Sequence, residues 1–157
     1  MTNTFTAAEL RSACVLLSST ALIRLVTEID DNGPIPPGML AGTLPDLARH
    51  HIRQVAASAR THDLATTVPG TGLVLTAAGS ELADVYDASA RWARNHDSPT
   101  PVCDFTSRIQ HTLNQLVNNA DPAPEEHGDL SFVRGLLLQW LNAHPQCTAP
   151  VEIGLAA

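Results

Sequence analysis

The chain contains no lysine. All nine of its basic residues are arginine, and sixteen acids against them give a net charge of −7. That balance excludes a polybasic tail, a histone-like protein and a lysine-rich membrane-surface binder. Taken in bulk, it also argues against a nucleic-acid partner. Charged residues are only 16% of the chain, well under the usual quarter. No apolar run approaches the ~18 residues of a membrane-spanning helix. Residues 1–17 lack a basic stretch ahead of their apolar run, so no secretory signal is expected. Three cysteines, Cys14, Cys103 and Cys147, are an odd number with no C-x-x-C pair. They point to reduced thiols in a cytoplasm rather than to a disulfide framework. G-x-S-x-G, G-x-G-x-x-G and phosphate-loop signatures are missing, so no enzymatic activity is expected. The seven histidines include no H-x-x-x-H or H-E-x-x-H spacing, so neither a metal nor a cofactor is expected.

What is present is a 157-residue chain, 44% apolar, enough for one well-filled core. Proline and glycine punctuate it at residues 32–38, 69–72, 97–101 and 120–124. Between these breaks the pattern is helical almost throughout. Thr6 and Glu9 form a T-x-x-E capping box for a first helix ending near Leu17. Residues 18–20 offer a fresh N-cap for a second helix, which Asn32-Gly33 closes. A short third helix over 39–42 follows. The fourth is expected over about 46–61, with Ala48, Ile52, Val55, Ala56 and Ala59 on one arc. The β-branched segments 64–68 and 71–75 around Pro69-Gly70 predict a small hairpin. Thr76 caps a long helix to about Asn95, with Leu82, Val85, Tyr86, Ser89, Trp92 and Ala93 on its buried stripe. Phe105, Ile109, Leu113, Leu116 and Val117 mark one further amphipathic helix. Leu130, Val133, Leu136, Leu137, Trp140 and Leu141 mark another, and residues 145–157 read as a loose tail.

The expected fold class is therefore mostly α with a small β-hairpin. Three helices followed by a hairpin is the order of a winged helix-turn-helix, here with extra C-terminal helices. Residues 1–96 would form that unit, 97–144 a helical extension serving dimerisation or a ligand, and 145–157 the tail.

The stretch from about Ala13 to Trp92 resembles the HxlR-type winged-helix transcription regulators, relatives of the MarR family. LTAAGSEL, from Leu75 to Leu82, is similar to their L-T-x-x-G-x-x-L after the wing. Residues 44–65 fit their helix-turn-helix and the segment leading into the wing, and Trp92 falls where the family often carries tryptophan. Two features depart from the pattern: residues 18–21 replace the G-G-K-W motif, and the wing has no arginine or lysine. The last 55 or so residues are not covered. The resemblance implies a bacterial, cytoplasmic regulator that binds double-stranded DNA as a homodimer.

On that reading the fourth helix enters the major groove. Arg49, His50, His51, Arg53, Gln54 and Ser58 are the residues expected to meet DNA, since arginine reads guanine and glutamine reads adenine through paired hydrogen bonds. Thr66, Thr67 and Thr71 offer hydroxyls to phosphates from the hairpin. The local charge agrees. Residues 43–79 hold Arg49, Arg53 and Arg60 against Asp46 and Asp63, a balance of +1, which leaves −8 for the remainder (−8 + 1 = −7). The competing account of these residues is an ordinary solvated helix face. The apolar-rich first helix, the long helix from Thr76 to Asn95 and the two C-terminal helices are expected to supply the dimer contact, against the plainer alternative of an intramolecular core. Tyr86, Trp92, Phe105 and Trp140 are the candidate lining of a small-molecule effector pocket, although aromatics at helical spacing more commonly pack as core. Cys14 stands where related regulators carry a redox-sensing thiol. Its neighbours Ala13, Val15 and Leu16 are apolar, and a buried inert cysteine is the expectation. Two alternatives to DNA regulation stay open: a protein–protein interaction module, and a small-molecule or redox sensor in which DNA binding is secondary.

Overall fold

Capping chemistry sets the first two helices. The computed structural model describes residues 6–96, 100, 104–118 and 128–147. In α1 (Ala7–Leu17) the Thr6 hydroxyl accepts the Glu9 amide and donates to the Glu9 carboxylate, both at 3.1 Å. The predicted N-cap is therefore formed, with Glu9 meeting the Thr6 hydroxyl in place of the reciprocal backbone bond of a full capping box. In α2 (Thr20–Asn32) Ser19 is the N-cap, and Gly33, at φ +89°, turns the chain away after the last residue. A four-residue helix, α3 (Leu40–Thr43), precedes α4 (Arg49–Thr61).

The start of α4 is a correction. It was expected near residue 46 and lies at Arg49, with Ala48 extended and exposed. Leu44 precedes a proline and is driven out of the helical region, to ψ 64°. Asp46 in the intervening turn is held by Arg24 of α2, whose Nε and Nη2 each donate to one carboxylate oxygen at 3.1 Å. That hydrogen bond lowers the Asp46 pKa.

The far end of α4 closes in a Schellman motif. The Leu64 amide donates to the Ala59 carbonyl at 2.7 Å and the Asp63 amide to the Arg60 carbonyl at 3.1 Å. Asp63 sits between them at φ +59°, where glycine is more usual. Strands β1 (Ala65–Val68) and β2 (Gly72–Leu75) then pair antiparallel, Ala65 opposite Leu75 and Val68 opposite Gly72. Each is shorter by one residue than the pattern predicts.

Ile35 also exchanges both backbone hydrogen bonds with Leu73. This bridge has no sequence signature, because prolines flank the single residue that forms it. Its closeness explains Gly72: at φ +111° a Cβ there would lie 2.0 Å from the Ile35 carbonyl oxygen.

The long helix α5 (Ala77–Asn95) is the centre of the fold, packing against α2, β2, α6 (Phe105–Asn118) and α7 (Gly128–Ala143). Every residue of its expected stripe is buried, from Leu82 to Ala93. Its first turn is locked onto the end of α4. The Thr76 amide donates to the Leu64 carbonyl at 3.0 Å and the Thr76 hydroxyl to the Asp63 carbonyl at 2.6 Å. Gly79 fits only because it has no side chain, since a Cβ would stand 2.0 Å from the Leu64 oxygen. The glycine of LTAAGSEL is thus required by a helix pressed against a neighbouring carbonyl.

Along α5, the Tyr86 hydroxyl donates to the Leu17 carbonyl at 2.6 Å, and Ser89 offers its carbonyl to the Thr112 hydroxyl of α6 at 2.7 Å. Trp140 of α7 donates to the Ala78 carbonyl at 2.9 Å. Ile109, Leu113 and Leu116, with Leu130, Val133, Leu137 and Leu141, complete the same core. The apolar stripes expected to meet a second copy are therefore buried within one chain. Each such side chain contributes about 1.5–3 kcal/mol on removal from water.

Residues 145–147 form a 3-10 turn with Cys147 buried. Gln146 Nε2 donates to the His62 carbonyl at 3.3 Å, while His144 Nε2 lies 3.1 Å from the Glu81 carboxylate. No single described helix is long and apolar enough to cross a membrane.

Candidate nucleic-acid interface

The buried side of α4 is made by Ile52, Val55, Ala56 and Ala59. At about 100° per residue the opposite side carries His50, Gln54, Ala57 and Thr61, all exposed. Arg49, Arg53 and Arg60 fall within an arc of about 40° on one flank, and His51 and Ser58 lie on the other. Of the residues expected to meet DNA, Arg49, His50, His51, Arg53 and Gln54 are exposed on α4. The rings of His50 and His51 approach to 4.1 Å.

Ser58 is different. It is half-buried, and its hydroxyl lies 3.3 Å from Nδ1 of the buried His62. It shares a shallow cavity of about 220 Å³ with His51, Gln54 and residues of the α1–α2 corner, including Ser19 and Leu22. That flank looks toward the protein as much as toward solvent.

Thr66 and Thr67 are exposed on β1 and Thr71 is exposed in the turn. Successive strand residues point to opposite faces, so Thr66 and Thr67 cannot serve the same contact. Thr67 faces α4, where Arg60 Nη1 donates to its hydroxyl at 3.5 Å. Arg60 was not among the residues expected to meet DNA. The available signal was its spacing: eleven residues after Arg49 and seven after Arg53 put all three on one flank.

The three arginines share an electrostatic property. None forms an ion pair with an acid among the described residues, whereas Arg24 is engaged by Asp46. The one acid in the turn before α4 is thus already neutralised from α2. The exposed edge formed by α4 and the hairpin carries cations facing solvent.

The other candidate positions resolve separately. Tyr86, Trp92 and Trp140 are buried in the core. The Trp92 ring stacks on His96 at 4.3 Å, and its Nε1 has no hydrogen-bond partner among the described residues. Phe105 is 38% exposed and lines a cleft of about 590 Å³ between α2, the turn at Asp46, Asp87 of α5 and the start of α6. Trp140 borders a different cavity with Glu81 and Leu136. The four aromatics do not converge on one pocket, because their helical spacing serves packing on α5.

Cys14 is 4% exposed, and burial pushes its thiol up to about 12, so it stays protonated at neutral pH. Burial, and then the charge of Asp63, push Cys147 up to about 11. Cys103 lies outside the described residues. Among the described residues no cluster of three or more histidine, cysteine or acidic side chains is placed to hold a metal ion. Comparison with protein families, curated proteins and solved structures finds no match for this chain.

Proposed function

We propose that this chain is a winged helix-turn-helix transcription regulator of the kind its sequence resembles, binding double-stranded DNA as a homodimer. Helix α4 lies in the major groove and the hairpin touches the adjoining backbone. The observation that carries this reading is the row of three arginines on one exposed flank of α4, none ion-paired among the described residues, preceded by a short helix and turn and followed by a two-stranded hairpin. Arg53 and Gln54 read base edges; Arg49 meets phosphate at the start of the helix. The exposed Val15 of α1 and Phe132 of α7, 69% and 62% accessible, support contact with a second copy. In the dimer two α4 helices stand about 34 Å apart, one turn of B-DNA.

The test is a mobility shift on the DNA upstream of the chain's own gene, repeated at rising salt. Retardation at low salt that disappears in the Arg53→Ala, Gln54→Ala double variant is expected. No retardation at low salt, or undiminished retardation by that variant, overturns the reading. Sedimentation at micromolar concentration checks the dimer, and a monomer there removes it. A second reading, an effector-responsive sensor, is favoured by the cleft of about 590 Å³ that reaches the Arg24–Asp46 pair just ahead of α4.

A further inference from the structure

The hairpin has no cation of its own, yet Arg60 from the last turn of α4 stands against it with Nη1 3.5 Å from the Thr67 hydroxyl. We infer that Arg60 and Thr67 together form a phosphate seat bridging α4 and the hairpin. This inference rests on the DNA-binding reading above. The chemistry follows from the direction of that hydrogen bond. Arg60 donates through one of its five N–H groups, so the others remain free. The Thr67 oxygen accepts, which leaves its own hydrogen to donate outward. A guanidinium fork and a hydroxyl, both exposed, then face solvent side by side. An acceptor with several lone pairs and a negative charge satisfies both donors at once, and a phosphodiester is such a group.

Two local features favour an external anion over an internal acid. Arg60 forms no ion pair among the described residues. It also stands on the same flank as Arg49 and Arg53, so a strand that runs along that flank passes all three. A plainer role for Arg60 is to complement the carbonyl end of α4. That role affects stability and is indifferent to DNA.

The experiment measures affinity for two unrelated 30-base-pair mixed-sequence duplexes across a salt series, with unfolding midpoints recorded for every variant. Arg60→Gln is expected to weaken both duplexes equally, by roughly 3- to 10-fold at the lowest salt, and to reduce the slope of log affinity against log salt by about one. Arg60→Lys is expected to restore the slope. Thr67→Val is expected to weaken binding about 2- to 3-fold at unchanged slope, because it removes a neutral donor. Combined with Arg60→Gln it should add nothing further. If the wild-type chain binds duplex and Arg60→Gln leaves the slope intact, the seat is overturned while the function stands. Strict additivity of the two substitutions also overturns it, since the residues then act apart. If wild type binds neither duplex at the lowest salt, the underlying function itself has failed.

Discussion

The edge formed by α4 and the hairpin and the edge formed by the end of α2 with α5 handle charge in opposite ways. On the first, Arg49, Arg53 and Arg60 face solvent with no acid to pair with among the described residues. On the second, Asp30 and Asp31 of α2 crowd Asp84 and Asp87 of α5. Partial burial raises the pKa of Asp30 and of Asp87, and the neighbouring carboxylates raise both further. A net charge of −7 therefore describes neither edge. It averages a cationic strip and a self-repelling acidic one with the rest of the chain, and like charges left together at a cost to the fold are a frequent mark of function.

The largest expected effect comes from separating the two edges at their joint. Gly79→Ala would force a Cβ to within 2.0 Å of the Leu64 oxygen, where the first turn of α5 presses on the end of α4. A loss of about 3 kcal/mol is expected, the upper end for overpacking, read as a lowered urea midpoint. An unchanged midpoint would mean that the two edges are not rigidly coupled.

Next in size is a direct comparison of the edges by salt titration on duplex DNA. Replacing Arg49 and Arg53 together by glutamine should flatten the salt slope by about one, the share of the phosphate contact at Arg49. Replacing Asp84 and Asp87 together by asparagine should leave it unchanged. Equal responses would erase the distinction.

The smallest effect is in stability. Asp87→Asn should stabilise the fold at pH 7 by less than about 1 kcal/mol, since the group is largely exposed and screened. The sign follows from the raised pKa: the folded state takes up a proton more readily than the unfolded chain. The wild-type penalty is therefore present above the raised pKa and fades as pH falls through it toward 3.8. The advantage of the variant, followed by thermal melting, should shrink over that same window.

Much of this was legible in the sequence because the signals are local. Thr6, Ser19 and Thr76 cap helices within three residues of themselves, and the stripe from Leu82 to Ala93 repeats with the helical period. The misses are tertiary. The turn ahead of the late-starting α4 holds Asp46 where Arg24 reaches it across 22 residues. The Ile35 bridge is one residue long, below what any periodicity reveals. The stripes of α6 and α7 look the same whether they meet α5 or another molecule, and only their placement against Ser89 and Ala78 decides. For the candidate interface, exposure of the α4 residues followed from the helical period. The role of Ser58 and the approach of Arg60 to the hairpin did not, since both depend on how α4 sits against its neighbours.

The 3-10 turn at residues 145–147 has a consequence for the order in which the molecule is completed. Gln146 and Cys147 reach back 84 and 85 positions to the same carbonyl, that of His62, at the C-terminal boundary of α4. Closing so long a loop is entropically costly until both ends already have partners. On a translating ribosome, residues 6–96 have all emerged before this clasp has anything to fasten with. Until residues 146 and 147 are made, the last turn of the most cationic helix is held by α5 alone, through Thr76.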